Sequence, residues 1–161
     1  MTAKVELSLS GPLDHLRVAW QTGEALLETV PFEGEADQTR YNALLAIQEM
    51  LTNVLRHAHG GRVDLPVRLS YEASDDGFSV EIRDRGAPFD PRDHLFEQPM
   101  DGSMPTEPGG YGILIARMVM DELDHWREDG WNVLRMHKGT AEVAADAAVE
   151  VARESVEEPG R

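Results

Sequence analysis

Three stretches of the chain carry residues whose types and spacing could do chemistry. In Gln48-Glu49-Met50-Leu51-Thr52-Asn53-Val54-Leu55-Arg56-His57-Ala58, the residues Glu49, Asn53 and His57 recur every four positions, the spacing that lines up side chains along one stripe of an α-helix. A carboxylate one turn from an amide is a usable device. The amide oxygen can ligate a hard cation such as Mg²⁺, and the carboxylate can take a proton from an attacking hydroxyl or water. The same stripe also fits an ordinary solvated helix face. In Arg83-Asp84-Arg85-Gly86-Ala87-Pro88-Phe89-Asp90-Pro91, an acid ends an apolar run and a glycine follows it. Such an acid can accept a hydrogen bond from an exocyclic amine, and the glycine lets the backbone approach a flat ring; a plain Asx turn fits too. In Gly109-Gly110-Tyr111-Gly112, glycines stand before Ile113-Leu114-Ile115-Ala116-Arg117. Glycines opening a helix can offer backbone N–H groups to phosphate at its positive end, or can simply form a hinge.

The elements that must position these residues follow from periodicity. Val5, Leu7 and Leu9 alternate as a half-buried strand, and Leu13 to Val30 reads as a helix stopped by Pro31. The strongest helix pattern runs from about Gln38 to His59 and ends at Gly60-Gly61, a C-cap signal. On it Leu44, Ile47, Met50, Leu51, Val54, Leu55 and Ala58 share one arc, apart from the Glu49 stripe. Strands are expected over Val63–Ala73, with Pro66 marking an edge or bulge, and through Phe78, Val80 and Ile82 after the Asp75-Asp76-Gly77 turn. Residues 84 to 110 read as a proline-rich loop, a length that in a compact domain signals either function or a misassigned element. A helix from about Gly112 to Glu122 and a hairpin of 124–128 and 131–137 complete the pattern.

Composition narrows the classes of function. The 161 residues hold no cysteine, which excludes disulfide frameworks, zinc-thiolate sites and cysteine nucleophiles. Lys+Arg is 15 against Asp+Glu 30, a net charge of −15, which disfavours a nucleic-acid partner. No apolar run reaches the roughly 20 residues of a membrane span, and no signal core opens the chain, so no membrane and a cytoplasmic location are expected. Residues 139–161 shift to an acidic, Ala/Glu-rich composition and read as a tail or an amphipathic helix with Val143, Ala147 and Val151 in line. The three tryptophans, Trp20, Trp126 and Trp131, read as core or interface residues.

Taken in order, the helix Glu-x3-Asn-x3-His, the strand with Asp-x-Gly, the long loop, the Gly-x-Gly helix and the hairpin resemble the Bergerat ATP-binding fold. That fold is shared by gyrase, histidine kinases and MutL. Within it the chain most resembles the RsbW/SpoIIAB-type anti-sigma factor serine kinases, over about residues 5–138. Asn132-x-Leu134-x-Met136-x-Lys138 is similar to that family's last strand. The resemblance implies an α+β fold: a two-layer sandwich in which one mixed, mostly antiparallel sheet is covered by helices on one face. It implies a kinase domain over 1–138, with 139–161 as an appended tail.

The same resemblance implies roles. Glu49 matches the family's catalytic base and Asn53 its Mg²⁺ ligand. Asp84 matches the reader of the adenine amine, with Gly86 beside the base. Gly110 and Gly112 match the glycines that close a lid over the phosphates. ATP and Mg²⁺ are the implied cofactors. The implied partners are a STAS-domain anti-anti-sigma factor, which would be phosphorylated on serine or threonine, and a sigma factor or other regulated target; a homodimer is also expected. One feature departs from the pattern: from Asp93 to Ala116 there is no Lys or Arg, whereas sporulation-type relatives carry a lid arginine. A nucleotide-gated sequestering module without kinase turnover is therefore the alternative. The catalytic part of a histidine kinase fits less well, since no His-Glu or His-Asp dipeptide is present.

Overall fold

The computed structural model of the chain describes residues 1–10, 16–60, 62, 64–88 and 111–140. Five strands, β1 (Ala3–Leu9), β2 (Val67–Ala73), β3 (Gly77–Asp84), β4 (Glu122–Glu128) and β5 (Trp131–Gly139), form one sheet in the order β1-β2-β3-β5-β4. The expected mostly antiparallel sheet is found, with every pairing among the described strands antiparallel. Three helices, α1 (Leu16–Leu27), α2 (Ala36–Asn53) and α3 (Tyr111–Val119), accompany it.

Alternation decides which sheet face the helices cover. Val67, Leu69, Tyr71 and Ala73 of β2 are buried, as are Phe78, Val80 and Ile82 of β3 and Met136 of β5. They meet Leu26 and Leu27 of α1 and Ala43, Ile47 and Met50 of α2 in one core. The Tyr71 hydroxyl donates to the Ala19 carbonyl at 3.0 Å, which ties β2 to α1. Gly23 of α1 lies so close to α2 that a Cβ there would sit 3.2 Å from Leu44 Cδ2. Arg40 of α2 joins the helices from the other end. Its guanidinium donates to the Leu27 and Val30 carbonyls at 3.1 and 3.2 Å and pairs with Asp37 at 3.0 Å. A cation on the last carbonyls of α1 complements that helix's dipole.

Three expectations shift. The second strand starts at Val67 rather than residue 63, because Pro66 has no N–H to give to a ladder. Helix α3 stops at Val119, because Glu122 already pairs with His137. The long helix is α-helical only to Asn53 and continues as a π-helical turn over Val54–Ala58, closed by His59 N–H to the Val54 carbonyl at 2.9 Å. Within the described helices, none is long and apolar enough to cross a membrane.

Candidate active site

The site begins where β3 ends. Asp84, its last residue, is 3% exposed, and the antiparallel register sets Asn132 of β5 directly opposite. Asp84 Oδ1 accepts from the Gly86 N–H at 2.7 Å and from Asn132 Nδ2 at 3.0 Å. Asn132 Nδ2 also donates to the Ala87 carbonyl at 2.9 Å, and its Oδ1 accepts from Arg127 at 2.6 Å. The carboxylate is thus clamped through one oxygen, and its Oδ2 takes no hydrogen bond among the described residues. An acceptor held this way is ready for an outside donor.

The helix side supplies the second half. Glu49 is half-buried, and nothing among the described residues hydrogen-bonds its carboxylate. Asn53, one turn on, does not lie on a solvated stripe as its spacing suggests: it is 4% exposed, and its Nδ2 is buried without a partner. An unpaired buried amide costs roughly 1–3 kcal/mol, and such orphans in native structures call for an explanation such as a ligand or ion. The amide therefore suits a position completed by a bound group. Among the described residues no cluster of three or more His, Asp or Glu could hold a metal alone.

The π turn joins the two halves. By ending α2 one residue out of phase it frees the Ala58 carbonyl, which accepts the Ala87 N–H at 2.8 Å. The loop after β3 is drawn so close that a Cβ on Gly86 would lie 2.2 Å from that carbonyl oxygen. Gly86 is needed for this approach. The turn also swings His59 inward: its side chain is fully buried, with Nε2 3.6 Å from Asp84 Oδ1 and neither ring nitrogen hydrogen-bonded. Burial lowers its pKa below the ordinary 6.5, against an upward pull from Asp84, so the imidazole is neutral at pH 7.

Between these elements lies a cavity walled by Met50, Val54, Ile82 and Leu134, with Asp84, His125 and Asn132 as its polar lining. Apolar walls converging on one carboxylate suit a flat base bearing an amine. Its volume, ≈ 20 Å³, is about that of one water, so seating a base requires the walls to part. Gly112 is the second residue of α3, which packs beside α2. Gly110, the loop from Phe89 onward, the tail from residue 141 and the side chain of His57 lie outside the described residues.

Sequence reasoning missed two members of the site. Asn132 was detectable as a lone polar residue at an inward position of an otherwise apolar alternation. His59 was not, because a 100° periodicity assigns it to the wrong face once a π turn intervenes.

A histidine kinase-like ATPase domain matches residues 10–138, and the chain belongs to that family. Its relatives there are RsbW-type serine-protein kinases. It is 31% identical over 103 residues to the serine/threonine-protein kinase BtrW of Bordetella bronchiseptica, covering 63% of this chain and 72% of that one. It is 23% identical over 139 residues to the serine-protein kinase RsbW of Listeria innocua, covering 83% and 86%. The fold is similar to the crystal structure of the RsbU and RsbW domains of a Mycobacterium tuberculosis protein, with a TM-score of 0.55 at 14% identity over 84% of this chain. The match spans 32% of that longer chain.

Proposed function

We propose that this chain is an ATP-dependent serine/threonine protein kinase of a partner-switching system. It would phosphorylate a STAS-domain anti-anti-sigma factor and alternately hold a sigma factor or other regulated target. The observation that carries the reading is the clamped Asp84, whose Oδ2 takes no hydrogen bond among the described residues, lining a cavity that Met50 and Val54 wall from the helix side.

Each residue then has a task. Asp84 Oδ2 accepts the 6-amino group of adenine, while Gly86 keeps the loop against Ala58 so that the carboxylate cannot swing away. Asn53 offers its amide oxygen to Mg²⁺. When bound, Mg·ATP supplies the terminal phosphoryl group, its charge partly offset by the metal. Glu49 takes the proton of the acceptor serine or threonine hydroxyl. Gly110 and Gly112 would present backbone N–H groups to phosphate at the start of α3.

The sequestering reading rests on the absence of Lys and Arg between Asp93 and Ala116, since developing charge on a transferred phosphoryl group calls for cations. A STAS partner captured by pull-down and incubated with γ-labelled ATP separates the two. The kinase reading expects label on a serine or threonine of the partner. Nucleotide-dependent capture without label would support sequestration alone.

A further inference from the structure

Among the described residues the sheet's other face carries no helix, and four arginines gather on it. Arg68 and Arg85 place their guanidinium carbons 4.7 and 4.4 Å from the centre of the Trp131 ring. Arg135 lies 5.5 Å from that of Trp126. Arg83 and Arg135 are engaged by carboxylates: Glu81 meets Arg83 at 2.6 Å and Arg135 at 2.8 Å, and Glu128 meets Arg83 at 3.1 Å. Burial alone would push the Glu81 carboxyl up, but the two arginines outweigh it and hold its pKa below the ordinary value. Arg68 and Arg85 differ, because among the described residues neither meets a carboxylate. Beside them a hollow of ≈ 570 Å³ opens between β1, β2 and β3, where Glu6 is paired with Lys4 and Glu81 with Arg83, leaving Arg68 as the lining cation with no carboxylate among the described residues. Two cations on an aromatic ring that meet no carboxylate among the described residues, in a chain of net charge −15, form a surface suited to an acidic occupant.

The chain itself contains one. Residues 141–161 hold six acids (Glu142, Asp146, Glu150, Glu154, Glu157 and Glu158) against Arg153 and Arg161. They follow β5, the strand whose other end is Trp131. A nine-residue strand is about 30 Å long, and 21 residues reach about 31 Å as a helix and more when extended. Either form is long enough to return along the sheet to Trp131. We propose that this acidic segment straps the free sheet face, with its carboxylates on Arg68 and Arg85 beside Trp131. The strap is independent of the kinase reading. Other acidic ligands compete with it for the same arginines, and salt weakens it as screening grows.

The test uses the absence of native cysteine. A Ser155→Cys full-length chain carries one nitroxide, and the three tryptophan indole N–H signals are compared with the label oxidised and reduced. The strap predicts that the Trp131 signal loses most of its intensity, while Trp20, on α1 in the helical layer, keeps its own. The Trp131 signal should return in ~0.5 M salt and in an Arg68→Gln/Arg85→Gln chain; if that chain fails to fold, the salt series alone decides. Unchanged Trp131 intensity, equal loss at all three tryptophans, or a loss that fades when labelled chains are diluted with unlabelled ones would each overturn the proposal. The last result would assign the contact to a second copy.

Discussion

Asp84 is held by the Gly86 N–H and Asn132 Nδ2 on one oxygen, so the other oxygen carries the recognition. Asp84→Asn would turn an NH₂ toward the adenine amine and lose a charge-assisted bond worth about 1.5–3 kcal/mol. ATP affinity should fall by about 10- to 100-fold in calorimetry, and unchanged affinity would remove Asp84 from the base site. Asn53 makes a complementary prediction. Its Nδ2 already lacks a partner, so Asn53→Ala should leave the urea midpoint nearly unchanged while Mg²⁺-dependent ATP binding is lost. A large drop in stability would mean that the amide is a structural group. Gly86→Ala must push its Cβ against the Ala58 carbonyl. Overpacking of this kind costs about 1–3 kcal/mol, read as a lower melting temperature together with weaker ATP binding. Asp84 and Gly86 were legible in the sequence as an acid and a glycine closing an apolar alternation, a pattern that also fits the Asx turn which the Gly86 N–H makes to Asp84 Oδ1. Asn53 was legible by type but not by environment, since spacing alone placed it in solvent.

At the scale of elements, periodicity recovered both outer helices and the five strands, because most have one wet and one buried face; β5, buried on both faces from Asn132 to Leu134, was found from its turn and length. It failed where local bonding departs from the regular pattern. Pro66 trimmed β2, and the π turn over Val54–Ala58 re-aimed everything after Asn53. That turn makes a pH prediction through His59. Burial lowers the folded-state pKa of His59 below 6.5, so the unfolded chain takes up the proton first on acidification. The contribution of neutral His59 is fully present above pH 6.5 and is lost as the pH falls below it, with a slope of at most ~1.4 kcal/mol per pH unit. Urea unfolding at pH 7.5 and 5.5 should show that loss, and His59→Phe should reduce the difference between the two. If the variant keeps the whole pH dependence, the loss belongs to other groups.

Across the whole molecule, the sheet's register sets Asp84 and Asn132 opposite each other, and the core keeps α2 against that end of the sheet. Asp84 and Asn132 of the sheet and Met50 and Val54 of the helix side therefore meet at one cavity, although they are distant in sequence. The order of the motifs foretold this assembly better than any motif alone. The arginine cluster on the far face was not legible, because its members come from three separate stretches of chain, β2, the end of β3 and β5. The central claim is phosphoryl transfer assisted by Glu49. Its most direct measurement is single-turnover transfer from γ-labelled ATP to a bound STAS partner, comparing the unaltered chain with Glu49→Gln. The amide keeps the shape of the side chain but is a poor proton acceptor, so ATP and partner binding should persist while transfer falls by about 10²–10⁴-fold. Transfer by Glu49→Gln at the unaltered rate would contradict the assignment of Glu49 as the base.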